Sequence, residues 1–333
     1  MRDKKLKYMI IGTGGTGGAI GSHMARAGHD VTFIARGRHL EAMKENGLKV
    51  RRPDGEFRIE KVSAYTSDGF LKRMSDHGGN EKPNSSVRDI RPDVIFVCVK
   101  GYSADDMLDF IKAVSKPDTI VIPILNIFGT GSSMQKSLPD ITVTDGCIYV
   151  ASEIAEPGYI RMNGTILRVV FGLRKDQEDL HQKLDPLLEQ IRDDLCDSGI
   201  EGILSDNIER DAMRKFSYVS PQGACGLYYG VPVGGVQQPG EIRECFAELV
   251  REISALADAM GIGFGEDIVP VNLEITDGLL PEMTTSLQRD VASGKASEID
   301  GLIYEVVRLG KKYGVDVPMY EKISIELRAR GLE

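Results

Sequence analysis

Gly12-Thr13-Gly14-Gly15-Thr16-Gly17 stands between the apolar run Tyr8-Met9-Ile10-Ile11 and a helical pattern carried by Ile20, Met24 and Ala25. This is the spacing GxGxxG in a context that gives it meaning: a strand end, a tight turn and a helix start. Glycines are needed because the backbone must turn sharply and expose its N–H groups to a pyrophosphate, which the helix N-terminus then favours. Outward from the turn, Lys7–Gly12 reads as a short buried strand. Gly28 ends the helix, and Val31–Ala35 (VTFIA) reads as a second strand, making a βαβ start.

Further along, Val94–Val99 (VIFVCV) and Ile120–Leu125 (IVIPIL) are near-continuous apolar runs, as in strands covered on both faces of a parallel sheet. Residues 75–86 contain no apolar side chain and predict an exposed loop. Pro157-Gly158 and Asn163-Gly164 punctuate β-rich segments over 147–173, which predicts an antiparallel meander extending the sheet. A helix pattern covers 176–197, and Gly202–Leu204 reads as a short closing strand. From Asp206 onward the signals are helical: a possible capping box at Asp206 and Glu209, an amphipathic stretch Glu241–Met260 before Gly261, a helix Glu298–Tyr313 before Gly314, and Pro318 opening the last helix. The expected fold class is an α/β Rossmann-type dinucleotide-binding domain over 1–205 followed by an all-α C-terminal domain over 206–333.

Composition narrows the partners. The 333 residues are 41% hydrophobic and 27% charged, which is globular rather than disordered. Asp and Glu exceed Lys and Arg by 50 to 41, so the net charge of −9 argues against nucleic acid as a partner. No run approaches the ~18 apolar residues of a membrane span. Met1–Lys7 is basic, but the apolar run behind it is too short for a signal-peptide core. The cysteines at 98, 147, 196, 225 and 245 are odd in number and widely spaced, with no CxxC, so no disulfide framework or metal site is expected and a cytoplasmic setting is the simplest reading.

The second strand bears on which dinucleotide is bound. An NAD binder carries an acid near the end of this strand for the ribose 2′-OH. No acid occurs from Val31 to Leu40, Asp30 lies at the opposite end, and the strand runs into Ala35-Arg36-Gly37-Arg38-His39. Guanidinium groups there suit a 2′-phosphate, which favours NADP and puts Arg36 on it; a solvated basic turn is the plain alternative, particularly for Arg38. Lys100 and Asn126 follow the two apolar strands where ligands bind in open α/β sheets, although a polar residue after a strand is also ordinary loop composition.

In the helical half, Ile208, Ala212, Phe216 and Val219 form an apolar stripe, and Lys215 falls inside it. A lysine held on a buried face has a lowered pKa and serves as a general acid at neutral pH; a lysine at the stripe edge simply reaches water. Both readings stay open on the pattern alone. Glu298 stands at a helix start, where the dipole favours a carboxylate, and Ser286 could be a helix cap.

These pieces together resemble the ketopantoate reductase (2-dehydropantoate 2-reductase) family. The matching stretches are the N-terminal GxGxxG, CVKGYSADD around Lys100, LNIFGTG around Asn126, ERDAMRKF around Lys215, and SLQRD with SEID, which hold Ser286, Asp290 and Glu298. The likeness covers nearly the whole chain. It implies that Gly12, Gly14 and Gly17 hold the pyrophosphate, Arg36 the 2′-phosphate of NADPH, and that Lys100 lies along the cofactor. It places Asn126 where nicotinamide and substrate meet, in a cleft between the domains. It makes Lys215 the general acid, has Glu298 orient Lys215 and the nascent hydroxyl, and gives Ser286 to the substrate carboxylate. The implied activity is NADPH-dependent reduction of a 2-oxo acid, with ketopantoate going to pantoate in pantothenate and coenzyme A biosynthesis.

One departure stands out. The family shows Asn four and eight residues after the catalytic Lys, for the far end of the substrate; here those positions are Val219 and Gly223. Ser220 and Gln222 are polar neighbours, but each residue turns a helix by about 100°. A different 2-oxo acid is therefore an alternative substrate, and a non-catalytic NADP-binding regulator is a second class of reading. A homodimer is expected from the general frequency of such assemblies.

Overall fold

The computed structural model describes residues 5–78 and 90–332. The chain forms two compact units, Met1–Leu125 with Gly129–Ile208, and Asn126–Phe128 with Glu209–Glu333.

The first unit runs β1 (Lys7–Ile11), α1 (Gly15–Arg26), β2 (Asp30–Ile34), α2 (Gly37–Asn46), β3 (Leu48–Arg52), β4 (Gly55–Ile59), β5 (Ser63–Tyr65), α3 (Ser67–Gly78), β6 (Val94–Val97), α4 (Leu108–Val114), β7 (Ile120–Pro123), α5 (Thr130–Ser137), β8 (Thr142–Val143), β9 (Asp145–Glu156), β10 (Tyr159–Gly172), α6 (His181–Asp197) and β11 (Glu201–Leu204). Six of the strands make a parallel sheet in the order β5-β2-β1-β6-β7-β8, with β1 at its centre. Every residue of β6 and β7 is buried, which is why their sequences are continuous apolar runs instead of alternating ones.

The 147–173 segment does not extend this sheet. It becomes the β9–β10 hairpin of a second sheet, in which β10 pairs with β3 through Tyr159–Arg161 and with β11 through Arg168–Phe171. The reason lies in α1, which needs cover on two sides. A Cβ at Gly21 would meet Phe33 and Ile10 of the parallel sheet, whereas one at Gly18 would meet Ile160 at 2.7 Å and one at Gly15 the Ser152 carbonyl at 2.5 Å. The hairpin thus buries its apolar face on the second side of α1, and the glycines let it come close. The expected loop over 75–86 also starts too early: α3 continues to Gly78, and 79–86 lie outside the described residues.

His23 ties α1 to β3 within this unit. Its Nδ1 is 2.8 Å from the Ala19 carbonyl and its Nε2 is 3.0 Å from Arg52 Nη1. A neutral ring satisfies both, donating from Nδ1 and accepting at Nε2. Burial, opposed by the Ala19 hydrogen bond and aided by Arg52 and Arg26, holds its pKa below the ordinary 6.5. Burial lowers the pKa of His39 likewise; its Nδ1 accepts from the Gly158 N–H at 3.0 Å. For a folded pKa below the unfolded one, the stabilisation is complete above pH ~6.5 and is lost as pH falls from there through the folded pKa. Urea unfolding between pH 7.5 and 5.5 is expected to show stability falling with acid, with a shallower fall in His23→Gln; identical slopes in the two proteins would contradict this.

The second unit is helical: α7 (Ile208–Tyr229), α8 (Val233–Gln237), α9 (Glu241–Ala259), α10 (Ile268–Asp277), α11 (Ser286–Ala292), a π-turn Asp300–Tyr304 running into α12 (Glu305–Tyr313), and α13 (Pro318–Ala329). Its core joins Met213, Phe216 and Ala224 of α7 to Phe246, Leu249, Val250 and Ile253 of α9 and to Leu302, Ile303 and Tyr320. Gly314 ends α12 in the left-handed region at φ 68°, and Pro318 opens α13. The first free N–H groups of α13 are taken by the buried Glu252 carboxylate of α9, which accepts from Met319 at 2.6 Å and Tyr320 at 3.0 Å. Among the described residues no helix is long and apolar enough to cross a membrane, and no group of three or more His, Cys, Asp or Glu could hold a metal ion.

Candidate active site

The glycine turn follows directly from β1. Thr13 donates from both N–H and Oγ1 to the Ile34 carbonyl of β2, at 3.3 and 3.1 Å, which anchors the turn to the neighbouring strand. Gly12 has φ +91°, and a Cβ there would lie 2.7 Å from Val99 N. At Gly17 a Cβ would sit 2.3 Å from the Gly12 carbonyl, so only glycine lets α1 start this close to the turn. A Cβ at Gly14 would meet nothing within 4 Å. Gly14 is also the N-cap of α1 and offers no side chain to its first N–H groups, and no acid lies in the first turn. The start of α1 thus carries no side-chain cap and has room in front of Gly14, which fits the pyrophosphate of a dinucleotide.

Arg36 is exposed at the N-cap of α2, just past the carboxyl end of β2. Asp30 is the first residue of β2, paired with Lys7 at the opposite end. The position where an acid would take a ribose hydroxyl is therefore basic. Lys100 is half-buried at the N-cap of a short 3₁₀ turn, Gly101–Ser103, beyond β6.

In the second unit, Lys215 donates from Nζ to Asn126 Oδ1 at 2.7 Å. Deep burial in an apolar stripe is not what holds it. Lys215 is half-buried, and the buried line of α7 is Met213, Phe216, Ser217, Ser220 and Ala224. Ile208, the first member of the expected stripe, packs instead with Cys147 and Val170. The helix opens at Ile208, two residues after Asp206. Asn126 is fastened by the residues that follow it. Ile127 lies over Gly301 of the π-turn, where a Cβ would come within 2.4 Å of it, and the Phe128 ring packs on Phe216 at 6.3 Å. Glu298 is 5% exposed and leads into that π-turn, its carbonyl accepting from Leu302 N at 2.9 Å.

Ser286 is not a cap. Thr285 caps α11, in a reciprocal box with Gln288, and Ser286 is the first helical residue, half-buried. The next residue, Leu287, fills the space beside Gly223: a Cβ at Gly223 would lie 3.1 Å from Leu287 Cδ2. Ser220 is spent in the core, its hydroxyl 2.5 Å from both the Leu302 carbonyl and Tyr320 OH. Gln222 is 1% exposed, and neither amide atom has a hydrogen-bond partner.

Asn272 was not singled out by sequence reasoning. Pro221 lies inside α7 and has no N–H for the carbonyl of Ser217. Asn272 Nδ2 takes that place, donating to Ser217 O at 2.9 Å and to Ser217 Oγ at 3.0 Å. The signal was Pro221 itself, since a proline in a helix interior leaves the carbonyl four residues earlier without its helical donor.

A family model for "Ketopantoate reductase PanE/ApbA" matches residues 8–176, and its C-terminal counterpart matches residues 207–330. The chain belongs to the ketopantoate reductase family. Family members are oxidoreductases acting on CH–OH groups, and this chain is an enzyme of that class. The 2-dehydropantoate 2-reductase of Pyrococcus horikoshii is 25% identical over 319 residues, covering 94% of each chain. Among solved structures, the 2-dehydropantoate 2-reductase of Geobacter metallireducens superimposes with a TM-score of 0.83 at 22% identity, over 98% of this chain and 100% of that one. A D-mandelate dehydrogenase solved with NADH and anilino(oxo)acetate does so with a TM-score of 0.79 at 21% identity, over 97% and 98%. The ketopantoate reductase fold, a parallel sheet with helices followed by a helical unit, is therefore the fold of this protein.

Proposed function

We propose that this protein reduces a 2-oxo acid to the 2-hydroxy acid with NADPH, with 2-dehydropantoate going to pantoate as its default reaction, in the supply of pantothenate and coenzyme A. The observation that carries this reading is the Lys215–Asn126 hydrogen bond, 2.7 Å long, which holds an ammonium group at a fixed place in the helical unit.

When bound, the nicotinamide supplies the hydride, and the protein supplies geometry, charge and the proton. Gly12, Gly14 and Gly17 would receive the pyrophosphate, Arg36 the 2′-phosphate, and Lys100 would lie along the cofactor, which Asn126 also meets. As the carbonyl carbon is reduced, negative charge grows on its oxygen. The Lys215 ammonium stabilises that charge and then donates its proton to the oxygen. Asn126 accepts from Lys215 and so sets the direction of the remaining N–H bonds. Glu298 orients Lys215 and the new hydroxyl, and Ser286 binds the substrate carboxylate.

A different 2-oxo acid is the second reading, and specific observations favour it. Val219 and Gly223 stand where the family carries two Asn, Leu287 occupies the space beside Gly223, and Ser220 is committed to Leu302 and Tyr320. A site that hydrogen-bonds a substrate hydroxyl discriminates strongly, so losing those amides bears on substrate choice. A structural neighbour, D-mandelate dehydrogenase, was solved with anilino(oxo)acetate, which supports this second reading. NADPH oxidation with 2-dehydropantoate, 2-oxoisovalerate and phenylglyoxylate separates the two. The default reading expects 2-dehydropantoate to have the highest kcat/KM; negligible turnover of it beside another acid would replace it. A regulator that only binds the dinucleotide would turn over none of the three.

A further inference from the structure

The described cysteines include one close pair that the chemistry above does not use. Cys225 on α7 and Cys245 on α9 are free thiols, 0% and 4% exposed, with their Sγ atoms 4.0 Å apart. A disulfide needs its sulfurs at ~2.05 Å, so closing the pair takes an approach of about 2 Å between two side chains already in contact. The two thiols differ in surroundings. The Cys225 hydrogen bond, the Tyr229 hydroxyl and the Lys322 ammonium favour the thiolate of Cys245, while burial and Glu241 oppose it. Cys225 is pushed the other way by its partner and by burial, and keeps its proton. Of the two, Cys245 is the thiol more readily deprotonated, and Cys225 is the protonated sulfur placed beside it.

We propose that Cys225 and Cys245 form an oxidation site at which hydrogen peroxide converts the dithiol to an intramolecular disulfide. The Cys245 thiolate attacks one peroxide oxygen, the O–O bond breaks, and Cys245 becomes a sulfenic acid while one oxygen leaves as water after protonation. The Cys225 sulfur then attacks the sulfenic sulfur, the S–O bond breaks and a second water leaves. In sum two thiols lose two hydrogens, and one peroxide is reduced to two waters. A dithiol reductant reverses the reaction by exchange. The bond would join α7, the helix that carries Lys215, to α9.

The test uses the full-length protein titrated with hydrogen peroxide, then alkylated and mapped as peptides without reduction. Cys196 is exposed and serves as the internal reference. The expected result is a peptide linked through Cys225 and Cys245 at peroxide doses no higher than those that modify Cys196, lost again on treatment with dithiothreitol. In Cys225→Ala, dimedone is expected to trap a sulfenic acid on Cys245. A pair that stays reduced while Cys196 is oxidised would overturn the proposal, as would dimedone labelling of Cys196 without Cys245 in the variant. Neither readout depends on which substrate the enzyme reduces.

Discussion

Lys215→Ala is expected to lower kcat by at least about a hundredfold, the scale of general acid catalysis, with cofactor affinity unchanged. The residue does two things that alanine cannot. It places positive charge where the carbonyl oxygen becomes negative, and it releases a proton to that oxygen. Lys215→Arg separates these roles, because a guanidinium keeps its charge but does not give up a proton at neutral pH. The arginine variant is therefore expected to remain slow while binding the 2-oxo acid better than the alanine variant. Steady-state kinetics paired with cofactor titration, and thermal melts to verify folding, check this. Turnover near the wild-type value in Lys215→Ala would remove the residue from the reaction.

How much of this was legible beforehand depended on whether the decisive contacts were local. The strands β1, β6 and β7 were readable because they lie in a sheet covered on both faces, and such burial writes itself as near-continuous apolar runs. β3 and β4 were not read. Their sequences, LKVRR and GEFRI, carry at least as many charges as apolar residues, and their burial alternates or is partial. The hairpin over 145–172 was readable as a hairpin but not as a member of a second sheet, since its partners β3 and β11 come from distant parts of the chain. Lys215 and Asn126 each stood out by type and position. That they are bonded did not, because 89 residues separate them and Asn126 follows a strand of the first unit while packing with the second. Lys215 is held by that amide rather than by immersion in an apolar stripe, a distinction that helical periodicity does not make. The loss of a polar lining at Val219 and Gly223 was visible in the sequence; that Leu287 fills the gap needed the packing of α11 on α7.

Arg36→Ala is expected to weaken NADPH binding by about ten- to a hundredfold, the range for losing charged hydrogen bonds, and to leave NADH binding nearly unchanged. The two cofactors differ only at the 2′-phosphate, so they form an internal control. Arg36 lies at the carboxyl end of β2 with no acid nearby in the strand, and Asp30 is at the opposite end, paired with Lys7. The wild-type protein is accordingly expected to prefer NADPH. Fluorescence titration of both reduced cofactors against both proteins gives four dissociation constants. Equal losses for NADPH and NADH in the variant would assign Arg36 to the fold of the turn and not to the phosphate.

Reduction at the oxo carbon of a 2-oxo acid with reducing equivalents from NADPH is tested most directly by an isotope label. The protein is incubated with a 2-oxo acid and NADPH carrying two deuterium atoms at nicotinamide C4, and the product is examined by mass spectrometry and NMR. One deuterium on C2 of the 2-hydroxy acid, formed in proportion to the cofactor consumed, is the result expected. Consumption of cofactor without a labelled 2-hydroxy acid, or binding of NADPH with no product from any acid offered, would contradict it.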